Sequence, residues 1–211
     1  MFLNRGDRFE FRPLPAEAQF APVFGLGVAD FDGDGFEDLV LAQNFFGMDI
    51  DTPRQAEGRG LWLRGDGKGG FKAVPGQQSG IKVYGEQRGC AVADFDGDGR
   101  VDVALAQNNE ATRLFRNARG RPGLRIRLRG SGSNPEAIGA MLRPYFGERA
   151  GAAREIRAGG GYWSQDGAVQ VLGGEAAPTA VLVRWPGGAE RRYAVPKGQR
   201  EVTLSAEGGV P

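Results

Sequence analysis

Nine residues, Asp30-Phe31-Asp32-Gly33-Asp34-Gly35-Phe36-Glu37-Asp38, return about 64 positions later as Asp94-Phe95-Asp96-Gly97-Asp98-Gly99-Arg100-Val101-Asp102, a distance typical of structural repeats. Carboxylates at positions one, three, five and nine of so tight a stretch repel one another unless a cation sits among them. A hard ion taking about six to eight oxygens suits that donor set, and calcium is the expected one. In the first copy the expected ligands are Asp30, Asp32, Asp34, the backbone carbonyl of Phe36, and Asp38; in the second they are Asp94, Asp96, Asp98, the carbonyl of Arg100, and Asp102. Gly35 and Gly99 stand where the loop must turn sharply, with the positive φ that glycine adopts cheaply. A single Asp-Gly is ordinarily a solvated turn, but two nine-residue copies in matching contexts point to a pair of ion sites.

The loops are not EF-hands. The bidentate Glu required at position twelve is replaced by Leu41 and Leu105. The segments after the loops, Leu39-Val40-Leu41-Ala42 and Val103-Ala104-Leu105-Ala106, read as buried strands. With 36 glycines, 12 prolines and 40% hydrophobic residues, many short strands and tight turns are expected, hence an all-β chain of one or two domains. The near-neutral total hides an asymmetry: residues 1–118 carry about 13 basic and 18 acidic groups, the remainder about 14 and 8. Two calcium ions would nearly cancel the acidic excess. The arginines of the second part are scattered along alternating strands, which suits a solvated sheet face better than a polyanion site.

Histidine is absent, which removes Ser-His-Asp triads, Cys-His pairs and His-ligated zinc or iron from consideration within this chain. The lone Cys90 precedes Ala91-Val92-Ala93 and is expected to be a buried strand thiol. No apolar run reaches the roughly 18 residues of a membrane span. The opening Met1-Phe2-Leu3-Asn4-Arg5-Gly6 does not read as a signal peptide, so the observed start is expected not to be the natural one.

Phe2 to Pro15 reads as strand, turn, strand, and Leu61 to Pro75 echoes it, Phe11 matching Phe71 and Pro15 matching Pro75; a shorter echo begins at Leu114-Phe115-Arg116-Asn117. Units of about 60 residues with strand, acidic loop, strand, variable turn, strand, turn, strand suit a four-stranded blade. Gly-Val-Ala-Asp-Phe-Asp-Gly-Asp-Gly over 27–35, an apolar strand, then Leu-aromatic and a Gly-rich turn resemble FG-GAP/VCBS repeats. That resemblance covers about residues 1–118 and implies blades of a calcium-binding β-propeller, as in the integrin α-subunit head. Only about two blades are present where propellers need four or more, so the partial ring is expected either to belong to a longer parent protein or to close by self-association. Arg5-Gly6-Asp7 and Arg64-Gly65-Asp66 spell an adhesion tripeptide, but both fall at the same turn of the repeat, where Gly and Asp serve the backbone. The aperiodic segment from Phe45 to Gly60 is an inserted loop, a plain connection or a contact loop.

A Gly/Arg/Pro stretch at Asn117 to Gly123 marks a boundary. Leu124-Arg125-Ile126-Arg127-Leu128-Arg129 then alternates with period two. Further strands are expected near 140–146, 154–158, 169–172, 181–185, 191–195 and 201–204, making a small β-sandwich or barrel. Asn134-Pro135-Glu136-Ala137-Ile138-Gly139-Ala140, Glu155 to Gln165, and Val183-Arg184-Trp185-Pro186-Gly187-Gly188 resemble the ASPIC/UnbV domain over about residues 121–206. The resemblance implies secreted proteins similar to cartilage acidic protein. Arg157, Tyr162, Trp163, Ser164, Gln165 and Trp185 are expected either to line a glycan platform or, for the tryptophans, to fill the core.

Together these readings describe an extracellular or cell-surface, calcium-stabilised, non-catalytic module that binds a glycan or protein and no nucleic acid. The alternative is a non-catalytic portion of a larger secreted enzyme acting on polysaccharides or phosphoesters. A calcium-locked spacer between domains is a third reading.

Overall fold

The computed structural model describes residues 1–53 and 55–210. The chain is all-β, as its glycine-punctuated apolar runs suggest. Among the described residues, no helix is long and apolar enough to cross a membrane.

Strands β1 (Phe2–Asn4) and β2 (Phe9–Phe11) form a separate hairpin. Strands β3 (Val23–Ala29), β4 (Asp38–Gln43), β5 (Leu61–Gly65) and β6 (Phe71–Val74) make an antiparallel four-stranded sheet in sequential order. Strands β7 (Gln87–Ala93), β8 (Asp102–Gln107) and β9 (Glu110–Phe115) make a three-stranded one. Each acidic stretch is the connection between the first two strands of its sheet. The echo beginning at Leu114 is displaced by one residue from the alignment read in sequence: Leu39 pairs with Leu63 while Val103 pairs with Phe115. Leu63 therefore corresponds to Phe115, and Arg64 to Arg116.

The two sheets pack through small residues. Along β3 the inward positions are Gly25, Gly27 and Ala29. A Cβ on Gly25 would lie 2.7 Å from the Cys90 backbone nitrogen, and one on Gly27 would lie 2.8 Å from Val92 Cγ1. This close approach encloses a core of Val40, Cys90, Val92, Val103 and Leu105. It also turns the large residues of β3 outward, leaving Leu26 43% and Val28 47% exposed. Burial pushes the Cys90 thiol up to about 12, so it is a core side chain without thiolate chemistry.

Beyond residue 123 lie β10 (Leu124–Arg129), β11 (Met141–Phe146), β12 (Arg149–Ala150), β13 (Arg154–Glu155), β14 (Gln170–Leu172), β15 (Ala180–Arg184), β16 (Glu190–Ala194), β17 (Glu201–Ser205) and β18 (Gly208–Val210). One sheet runs β14-β10-β17-β18, with β10 and β17 parallel; the other runs β12-β11-β15-β16, with β13 also on β11. Leu124, Ile126 and Leu128 of β10 point into the core between the sheets, against Leu142, Val181, Val183, Val202 and Leu204. The arginines between them point away from it, as period-two alternation requires.

This second unit is docked on the first. Val171 joins the core of the first two sheets, Arg121 N–H donates to Asp32 O at 3.0 Å, and Gly123 N–H to Gly99 O at 2.8 Å. The free edge of β7 is taken up by the segment 164–167: Cys90 N–H donates to Ser164 Oγ, Val92 N–H to Asp166 Oδ1, and Gly167 N–H to Val92 O.

Gly33 sits at this junction with φ +75°, and a Cβ there would lie 2.4 Å from the Arg121 carbonyl oxygen. Gly33→Ala should therefore cost about 2–4 kcal/mol, combining left-handed strain with displacement of the linker. Gly132→Ala, at φ +55° in open space, isolates the strain at about 1–2 kcal/mol. Urea unfolding of the two variants should rank them in that order; equal losses would mean the close approach is unimportant.

Candidate metal centres

The two loops share one backbone solution. Gly33 and Gly35 have φ of 75° and 93°, Gly97 and Gly99 of 75° and 84°. The left-handed residues coil each loop so that its carboxylates converge. Oxygens of Asp30, Asp32 and Asp38 lie within 4.8 Å of one another, and so do those of Asp94, Asp96 and Asp102. Two ligands of one calcium ion, each about 2.4 Å from it, lie at most about 4.8 Å apart, so both clusters are narrow enough to share an ion.

The carboxylates at positions one and nine also hold the loop. Asp38 is wholly buried and accepts from Phe31 N–H at 3.1 Å and Gly65 N–H at 2.7 Å. Asp102 accepts from Phe95 N–H at 2.9 Å and Asn117 N–H at 2.7 Å. Asp30 accepts from Gly33, Asp34 and Gly35, and Asp94 Oδ2 from Gly99 at 2.9 Å. The other oxygen of Asp94, Oδ1, is buried without a hydrogen-bond partner on a side chain with no exposure. A buried carboxylate oxygen left unpaired is costly, and a cation in the cluster would satisfy it.

The electrostatics record the same crowding. Burial pushes the Asp30 carboxyl up to about 6 and that of Asp38 to about 7. Burial, and then the Asp34 charge, also raises Asp32. Asp96 differs, because its hydrogen bond to Arg116 holds it below the usual range.

Of the expected ligands, Asp34 and Asp98 stand outside the three-carboxylate clusters. Asp34 is drawn to Arg64 at 2.9 Å, and Asp98 to Arg100 at 2.9 Å and Arg116 at 3.3 Å. Phe36 and Arg100 donate their N–H groups to Asp34 and Asp98. The loops are ringed by arginines that loop spacing alone did not single out. Arg64 also pairs with Asp32 at 2.5 Å, Arg116 with Asp96, Arg125 of β10 with Asp94 at 2.7 Å, and Arg154 of β13 with Glu37 at 2.8 Å. Arg64 and Arg116 leave corresponding positions of the repeat, which was a signal available in the sequence once the echoes are aligned by strand register. Arg125 and Arg154 come from the docked second unit and had no local signal.

The Arg64-Gly65-Asp66 tripeptide is consumed by this architecture. Arg64 faces the acidic loop, Gly65 N–H bonds Asp38, and Asp66 Oδ1 closes its own turn by accepting from Lys68 and Gly70.

The residues of the expected platform divide. Trp185 is buried in the second core, its Nε1–H donating to Tyr193 Oη at 3.1 Å, so it lines no surface; the apolar interior claims it. Trp163 is 90% exposed, Tyr162 is exposed beside it, and Arg157 and Gln165 are exposed nearby. Ser164 is the anchor beneath them, its Oγ donating to Tyr162 O at 2.8 Å.

No curated protein matches the chain. Residues 130–210, which make up most of the unit docked against both acidic loops, match the family model described as ASPIC and UnbV.

Proposed function

We propose that the chain is a non-catalytic extracellular binding module in which two calcium ions hold the acidic loops and, through them, the seat of the ASPIC/UnbV domain. The observation that carries this reading is the pair of matched three-carboxylate clusters, one with a buried, unpartnered oxygen. The residues that would hold the ions are Asp30, Asp32 and Asp38, and Asp94, Asp96 and Asp102. An ion there supplies charge neutralisation and rigidity.

The four-stranded and three-stranded sheets are read as two FG-GAP/VCBS-type propeller blades, each with its loop between the first two strands. The β1–β2 hairpin, with Phe2, Phe9 and Phe11 exposed, is read as part of a further blade to be completed by a longer parent chain or by another copy. Sites of about 10⁻⁴ to 10⁻³ M, the range of extracellular modules, would suit the millimolar calcium outside cells, where the chain would meet a glycan or protein ligand. The absence of histidine, together with the membership of the two most strongly raised carboxyls, Asp30 and Asp38, in the ion clusters, supports a binding role over catalysis. The same features fit a non-catalytic portion of a larger secreted enzyme.

Calorimetric titration of the chelator-treated chain with calcium should report two sites. Asp32→Ala and Asp96→Ala, which remove the cluster members least used by the backbone, should each abolish one site and leave the other. No calcium heat, or two sites surviving in the double variant, would overturn the assignment.

A further inference from the structure

Between the first sheet and the ASPIC/UnbV domain lies an open cleft of about 450 Å³, within the range of small-ligand sites. Its floor is the outward face of β3, where Leu26 and Val28 are left uncovered by the glycine packing on the other side. Its walls carry two ion pairs, Glu37–Arg154 at 2.8 Å and Glu155–Arg157 at 3.2 Å, and Asp166, pinned by Val92 N–H at 2.9 Å.

An aromatic edge rises at one end. Phe24 lines the cleft, Tyr162 meets its ring edge-on at 6.3 Å, and Trp163 follows at 6.2 Å from Tyr162. Trp163 has φ +48°, a left-handed conformation that costs a bulky residue roughly 1–2 kcal/mol. The turn imposing it is tied down: Gly160 N–H donates to Ser164 O at 2.8 Å, and Cys90 N–H holds Ser164 Oγ at 3.0 Å. A large apolar ring is thus held in water, at a conformational cost, on a fixed turn. Core packing gains nothing from that arrangement, whereas a stacking ligand does.

The charge of the cleft selects the class of ligand. Glu37, Glu155 and Asp166 line it against Arg154 and Arg157, a balance that offers a sulfated or phosphorylated ligand no excess of cations. Arg154 and Arg157 are each paired with a glutamate and Asp94 with Arg125, so the cations at the cleft are already engaged, and guanidinium donors set beside carboxylate acceptors suit hydroxyls, which both donate and accept.

We propose that this cleft binds a neutral oligosaccharide, with a sugar ring stacked on Trp163 and Tyr162 and its hydroxyls shared among Arg157, Glu155 and Asp166. The assignment rests on the binding-module function proposed for the chain and names its ligand class.

The full chain in millimolar calcium is to be titrated with cellohexaose, maltohexaose, xylohexaose and chitohexaose, and with a heparin hexasaccharide, following tryptophan fluorescence. At least one neutral hexasaccharide should give a saturable change with Kd at or below about 1 mM. Trp163→Ala should weaken that binding at least about tenfold with the melting temperature unchanged, while Trp163→Tyr retains most of it; calorimetry reads the alanine variant. Absence of binding by all four neutral sugars, binding undiminished in Trp163→Ala, or binding of the heparin fragment alone would overturn the proposal. Calcium calorimetry on the same sample separates the two ideas: intact ion binding without sugar binding removes only the cleft assignment.

Discussion

Asp38→Ala is expected to destabilise the protein by roughly 2–6 kcal/mol in chelator at about pH 5, where the folded carboxyl keeps its proton and no buried charge is relieved, because it strands two buried donors at about 1–3 kcal/mol each. Phe31 N–H and Gly65 N–H both end on this carboxylate, and neither has water to turn to at a residue with no exposure. Asp102→Ala removes the corresponding pair of bonds, to Phe95 and Asn117, in the second loop, but those donors are only part-buried, so the loss should be smaller. Set against a typical total of about 5–15 kcal/mol, the Asp38→Ala loss brings the protein close to unfolding. Asp32→Ala is the control. Its carboxylate accepts one backbone bond, from Asp34, and faces solvent through Arg64, so it should cost about 1 kcal/mol or less in chelator while still removing an ion site. Urea unfolding in chelator at about pH 5 reads the stability losses, and calcium calorimetry at neutral pH reads the lost site. A loss below about 1 kcal/mol in Asp38→Ala would mean that the loop is held by something other than its ninth position.

In chelator, the protein should become more stable as pH falls from about 7 toward 4, and calcium should reverse that slope. The folded carboxyl of Asp30 is raised to about 6 and that of Asp38 to about 7, from an ordinary 3.8, chiefly by burial. A carboxyl that holds its proton more tightly when folded contributes stability that is complete below the unfolded value and fades as pH rises through the folded one. Deprotonation of these two groups between pH 4 and 7 therefore works against the ion-free fold. Each tenfold gain in proton affinity on folding is worth about 1.4 kcal/mol, so the two groups together amount to several kcal/mol, on the order of 5. Asp96, held low by Arg116, has the opposite sign but loses its contribution only below the ordinary carboxylate range. Calcium binds the deprotonated clusters, so protons compete with it and stability falls on acidification. Thermal melts from pH 4 to 7 in the two conditions should cross. Chelated protein that loses stability steadily across this window would show that repulsion and burial in the loops are not what limits the ion-free state.

Local chemistry was legible residue by residue. The repeat Asp-x-Asp-Gly-Asp-Gly announced two coiled loops because carboxylate spacing and left-handed glycines act within a few residues. Leu124 to Arg129 announced its strand and its inward face because side chains alternate with period two. The strings near Asn134, Gly159 and Trp185 carried the likeness to the ASPIC/UnbV domain. Long-range geometry decided the rest. Gly25 and Gly27 carry no side chain to mark an inward face, yet they are where β7 comes closest, and that contact turns Leu26 and Val28 outward. Trp163 and Trp185 are chemically identical; one stands on a left-handed turn in water and the other closes a core, since burial depends on which elements meet. Of the four carboxylates expected in each loop, three converge while Asp34 and Asp98 lie outside the clusters, paired with Arg64, Arg100 and Arg116, and the placing of Arg125 and Arg154 beside the loops comes only from the docking of the second unit. Sequence by itself determined the loops and the strands, whose causes lie within a few bonds. The tertiary structure decided which carboxylates cluster, which aromatics remain exposed and that both loops lie at a domain junction, because those outcomes depend on partners brought from tens of residues away.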